Sequence, residues 1–170
     1  GPKLVDAVRA ALAVPGLARL RLGSLESIEV EPELLELMAQ DKRFCRHLHL
    51  PLQAGADKTL RAMHRPYDSA KFKALLTKIR AKIPDVSITT DLIVGFPGET
   101  AEDFDASLRF ATACEFAKIH VFPYSPRRGT PAAVLPEQVP EETKNKRVEA
   151  AEIVDARGHQ NYLKTLAGTE

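Results

Sequence analysis

The chain has 170 residues, 44% of them hydrophobic, and a formal net charge of +1. That fits one domain with a real core, and the charge balance argues neither for nor against nucleic acid. No run is long and apolar enough to span a membrane, and no signal peptide is legible. The two cysteines, Cys45 and Cys114, form no metal-spaced pair. Both are expected as buried free thiols in a reducing compartment, the cytoplasm.

Residues 3–12 open the chain as a helix, of the kind that crosses over between parallel strands. The apolar run 17–22 is the first expected strand. Residues 31–39 follow as a helix with Pro32 in its first turn, where a missing amide donor costs little. Residues 47–52 form the second strand. Phe72, Leu75, Leu76 and Ile79 then fall at helical spacing behind a cap at Asp68 or Ser69. Residues 87–94 form the third strand. It runs through Gly95-Phe96-Pro97-Gly98-Glu99 to Thr100, which with Asp103 resembles a capping box opening the helix of Phe104 and Leu108. Residues 118–124 make the fourth strand. A Pro-rich connection leads to a last helix from Pro140 to about 166, on which Lys144, Lys146 and Arg147 read as a solvated face.

Alternating strands and helices imply parallel pairing with right-handed crossovers. Units of roughly thirty residues suit a (β/α) barrel or a doubly wound sheet. A full eight-unit barrel takes on the order of 250 residues, so four strands make only part of one.

In such folds ligands gather just past the strand C-termini. There Glu26 suits a ribose hydroxyl or an amine, or simply starts the next helix. Gln53 offers a donor and an acceptor, or braces its loop. Asp91 lies among apolar residues, so its carboxylate must be hydrogen-bonded or paired. Gly95 and Gly98 permit a tight turn or close ligand approach. His47 and His49 share one face of a strand. Two imidazoles there suit a metal, but without an evident third ligand they read as an interior pair satisfied by neighbours. His64, His120 and His159 show no metal pattern. Arg127 and Arg128 suit a carboxylate or phosphate, or a solvated loop.

Four segments in this order, Leu20-Arg21-Leu22-Gly23-Ser24-Leu25-Glu26, His47-Leu48-His49-Leu50-Pro51-Leu52-Gln53, residues 90–100 and residues 122–132, resemble the radical S-adenosylmethionine methylthiotransferases. The Gly23-Ser24-Leu25-Glu26 form looks most like the bacterial subgroup that acts on threonylcarbamoyl-adenosine beside the tRNA anticodon. Subgroups acting on isopentenyl-adenosine or a ribosomal protein remain alternatives. The resemblance implies an α/β fold, a partial (β/α) barrel of four parallel strands over residues 1–135. It implies a closing helix over 136–166 and the start of an RNA-binding β-domain at 167–170. It places Ser24, Glu26, Gln53, Asp91, Gly95 and Tyr124 on S-adenosylmethionine, and Ser125 and Arg128 near substrate. The family uses two 4Fe–4S clusters, and their cysteine sets are not in this sequence. Cys45 and Cys114 cannot replace them, because a cluster needs three or four thiolates. The chain alone is therefore expected to carry no catalytic residue, no iron and no methylthiotransferase activity. Open sheet edges suggest self-association, and a non-catalytic half-barrel module is the reading from another class.

Overall fold

The computed structural model describes residue 1 and residues 3–167, so the expected β-domain start lies, apart from Ala167, outside the described residues. Among these residues six α-helices (α1 Leu4–Leu12, α2 Pro32–Gln40, α3 Asp57–Ala62, α4 Ser69–Lys82, α5 Ala101–Cys114, α6 Glu141–Leu166) flank three strands (β1 His47–His49, β2 Ser87–Val94, β3 Lys118–Pro123). The strands form one parallel sheet in the order β1-β2-β3. This is the expected α/β architecture of a partial barrel.

The first expected strand builds no ladder. Among the described residues its backbone makes the isolated bridges Leu20↔Phe44, just before β1, and Ser24↔His49, on β1 itself. Gly23 lies between the two, and a glycine weakens a strand interior. The edge therefore follows β1 without zipping onto it.

β1 is also shorter than expected, for a definite reason. His49 lies opposite Thr89 and Gln53 opposite Leu92, so one strand spends an extra residue. Pro51 has no amide to give. Thr90, fully buried, fills the gap: its hydroxyl donates to the Leu50 carbonyl at 2.7 Å and accepts the Leu52 amide at 2.9 Å. The Tyr67 hydroxyl donates to the Pro51 carbonyl at 2.9 Å, and burial pushes its pKa up to about 12. The bulge re-aims the chain so that Gln53 arrives at the strand end with φ 67°.

Along β2, Ile88, Thr90, Leu92 and Val94 are buried, while Ser87, Thr89, Asp91 and Ile93 are half-buried. Ile88, Leu92 and Val94 belong to the core that also holds Leu48, Phe72, Leu76, Ile79, Phe116 and Ile119. The second set lies on the inner face, which stays partly open.

Two expectations need correction. Lys144 and Arg147 are not on a wet face; with Ala151 and Asp155 they form the buried stripe of α6. Each polar member has a partner at the edge of the sheet. Lys144 Nζ donates to the Tyr124 carbonyl at 3.0 Å, and Arg147 pairs with Glu99 at 2.6 Å. Asp155 accepts the Ile119 amide at 2.7 Å and pairs with Lys118. Strand-end carbonyls need donors, so a charged stripe buries as well here as an apolar one. Lys146 alone stays outside, 2.6 Å from Glu142. The second correction is Cys45, which is only half-buried, with the Arg19 guanidinium 3.5 Å from its sulfur. Cys114 is buried as expected, and burial pushes its thiol up to about 11.

Helix α3 ends in a Schellman motif. The amides of His64 and Arg65 donate to the carbonyls of Arg61 and Leu60, both at 3.0 Å, and His64 takes φ 55°. That left-handed position favours glycine or asparagine. His64→Gly is expected to raise stability by about 0.5–1 kcal/mol. A higher denaturant midpoint with unchanged slope is the expected reading; no gain would contradict the strain argument.

Candidate functional site

The segment 95–100 is an internal lock. The Gly95 amide donates to Glu99 Oε1 at 2.8 Å, and Gly98 donates to the Glu137 carbonyl at 3.0 Å. The Glu99 amide donates to the Phe96 carbonyl at 2.9 Å. Lys58 ties the loop to α3, donating to the Gly98 carbonyl at 3.1 Å and to Asp103 at 2.9 Å. Thr100 and Asp103 complete the expected capping box. These amides are therefore engaged within the protein rather than offered to a ligand. Gly95 has its own explanation: at φ 75°, an added Cβ would stand 2.2 Å from Lys144 Cγ.

Glu99 is the centre of the lock. Its side chain is 1% exposed and sits against Arg147, whose guanidinium also lies 5.3 Å from the Phe104 ring centre. Burial raises the Glu99 carboxyl above its ordinary range, against the opposing pull of the Gly95 amide and Arg147.

The strand ends bring together part of the expected set. Ser24 and Glu26 lie exposed on the edge segment, and Glu26 Oε1 is 3.2 Å from Arg65. Gln53 is held by its backbone between Asp91 and Ile93: its amide donates to the Asp91 carbonyl at 2.9 Å and its carbonyl accepts the Ile93 amide at 2.8 Å. Tyr124 continues β3, its amide donating to the Val94 carbonyl at 2.8 Å, and its ring meets Phe96 edge-on at 5.2 Å. Its hydroxyl is buried and has no hydrogen-bond partner among the described residues. A buried hydroxyl without a partner costs free energy unless something meets it. Ser125 and Arg128 lie on the exposed loop after β3.

Asp91 is not at this rim alone. Its Oδ2 lies 3.2 Å from His49 Nε2, and His49 Nδ1 lies 2.9 Å from the Thr89 hydroxyl. That hydroxyl is 3.3 Å from His47 Nε2, and Arg21 contacts both ring nitrogens of His47 at 3.1–3.2 Å. Burial, then the Arg21 charge, then His49 hold His47 below the ordinary imidazole range. The pair is thus satisfied by neighbours, as expected. The sequence missed His120, which β3 places opposite Asp91. The sequence places His120 on one face of the strand with Lys118, and the register alone sets it against Asp91.

Cys45 and Cys114 offer no cluster site: one thiol lies beside Arg19 and the other is buried and held protonated.

The sequence model of the radical SAM superfamily matches residues 3–111. The chain is 43% identical over 162 residues to a tRNA-2-methylthio-N(6)-dimethylallyladenosine synthase of Corynebacterium glutamicum, covering 95% of this chain and 31% of that protein. The protein of the same name from Carboxydothermus hydrogenoformans is 46% identical over 136 residues, 80% of this chain and 31% of its own length. This chain therefore spans about a third of the length of the curated relatives it matches. Among solved structures, coproporphyrinogen III oxidase from Escherichia coli superposes with TM-score 0.64 at 21% identity, over 79% of this chain and 31% of the other. A radical S-adenosylmethionine methyltransferase from Kitasatospora setae gives 0.60 at 20%, over 77% and 26%. These two likenesses concern the fold.

Proposed function

The chain belongs to the radical SAM superfamily, and we propose that it is part of the catalytic core of a tRNA methylthiotransferase acting on N6-dimethylallyl-adenosine. The relatives named for that nucleoside support the substrate. It replaces the threonylcarbamoyl form that Gly23-Ser24-Leu25-Glu26 suggests. The proposed place of action is the cytoplasm, with tRNA as partner; no helix among the described residues is long and apolar enough to cross a membrane.

The single observation that carries a ligand at the strand ends is the buried, unpartnered hydroxyl of Tyr124 beside Phe96. When bound, S-adenosylmethionine would supply a methyl group and, given one electron from an iron–sulfur cluster, a carbon radical. Tyr124 Oη would donate to or accept from its polar groups, and the Gln53 carboxamide would do both. Ser24 and Glu26 line the opposite edge, with the Glu26 carboxylate suited to ribose hydroxyls. Asp91 and Gly95 are left out of this set, because His49 holds the first and Glu99 and Lys144 account for the second. Ser125 and Arg128 would meet the substrate from the loop after β3. Cys45 and Cys114 do not suit an iron–sulfur cluster, which takes three or four thiolates.

Nucleoside mass spectrometry of tRNA, from cells with and without the gene, tests this. Loss of the 2-methylthio group from dimethylallyl-adenosine is the expected result. Loss from threonylcarbamoyl-adenosine would move the substrate assignment, and an unchanged tRNA profile would overturn it.

A further inference from the structure

We propose that the inner face of the sheet carries a mononuclear divalent transition-metal site formed by His49, Asp91 and His120. The three residues come from three adjacent strands, with Asp91 paired in register with His120 and His49 paired with Thr89 two residues earlier. One ligand atom from each lies within 4.8 Å of the others. Ligand bonds of about 2.0–2.2 Å put the donors of a tetrahedral ion roughly 3–4 Å apart. His49 Nε2 and Asp91 Oδ2 already stand at 3.2 Å. The His49 and His120 rings lie 5.7 Å apart, centre to centre, so a small rotation of His120, which is exposed, closes the third bond.

The surroundings suit a ligand set better than a structural ion pair. His49 Nδ1 is held at 2.9 Å by the Thr89 hydroxyl, which can donate or accept. When it accepts, the imidazole carries its proton on Nδ1 and presents the Nε2 lone pair, the outer-sphere arrangement that metal-binding histidines use. The His120 imidazole makes no hydrogen bond to the described residues, and neither does the second oxygen of Asp91. His47 stands apart from the set, with the Arg21 guanidinium 3.1–3.2 Å from its ring nitrogens. Two imidazoles and one carboxylate leave at least one position free on the half-exposed side. That donor set suits zinc, cobalt, nickel or iron(II) rather than magnesium or calcium. The site uses none of the groups assigned to the adenosine ligand, and it stands whether or not that assignment holds.

The experiment is titration of the metal-free chain with Co(II), followed by visible absorption and then displacement with Zn(II). One equivalent is expected to develop ligand-field bands of a nitrogen- and oxygen-bound ion of low coordination, bleached by zinc. His49→Ala and His120→Ala are expected to weaken binding by at least the roughly 100-fold upper end of an outer-sphere loss, and Thr89→Val by about 10-fold. His64→Ala, at an exposed position just past α3, is the control and leaves binding unchanged. His120 is exposed, so its variant keeps the far-ultraviolet circular dichroism of the parent. A spectrum no different from aqueous Co(II) would overturn the site. So would full-strength binding by a folded His120→Ala chain, or equal weakening by His64→Ala.

Discussion

Glu99→Ala is expected to destabilise the chain by about 4 kcal/mol, read as a lower denaturant midpoint. The carboxylate is buried at the junction of β2, α5 and α6. Its removal leaves the Arg147 guanidinium without a counter-charge in a site where both side chains are at most 10% exposed. Stranding one buried charge costs about 3–5 kcal/mol, and the Gly95 amide loses its acceptor at the same time. The pair as a whole contributes far less than this loss, since burial already works against the ionised carboxyl. Arg147→Met combined with Glu99→Met should therefore recover much of the deficit, leaving mainly the orphaned amide. Equal losses in the single and double variants would remove the argument from charge pairing.

The raised carboxyl also fixes a pH dependence. A group protonated more readily folded than unfolded contributes stability that is fully present below the ordinary carboxylate range. That contribution is lost as pH rises through the raised value. The stability of the parent chain relative to Glu99→Gln should therefore decline across that window. A difference that grew with pH would mean that Arg147, not burial, dominates the site.

The elements that were legible in the sequence are those set by local chemistry. β2 is bounded as expected at Ser87–Val94, a run of mostly apolar and β-branched residues that ends at Gly95. The caps at Asp68 and Thr100 form because each side chain reaches its own helix three residues on. What failed depended on contacts distant in sequence. The edge run 17–22 is apolar enough for a strand, yet its pairing is decided by the neighbour and by Gly23. The break in β1 needs Thr90, some forty residues away, to become stable. Lys144 and Arg147 looked solvated because charge is ordinarily a surface signal. Only the tertiary fold reveals the Tyr124 carbonyl and the Glu99 carboxylate that receive them. The same limit hid His120: its meaning depends on lying opposite Asp91, which is a matter of register.

Gly95→Ala decides between the two meanings that a glycine at a strand end can have, ligand approach or internal packing. The residue holds φ 75°, where a side chain costs about 1–3 kcal/mol in strain. An added Cβ would also stand 2.2 Å from Lys144 Cγ and 2.9 Å from its Cδ. Overpacking of that kind costs about 1–3 kcal/mol. A total loss of roughly 2–6 kcal/mol is expected from the two causes together. They can be separated, because Lys144→Ala removes the clashing atoms without relaxing the backbone. Combined with Gly95→Ala, it should return the overpacking share, giving a coupling of about 1–3 kcal/mol in a double-mutant cycle. Lys144→Ala alone deprives the Tyr124 carbonyl of its donor, so the cycle needs both single variants. If Gly95→Ala instead kept full stability and altered only ligand binding, the glycine would belong to the cleft. The lock between β2 and α6 would then be a consequence of the fold rather than its reason.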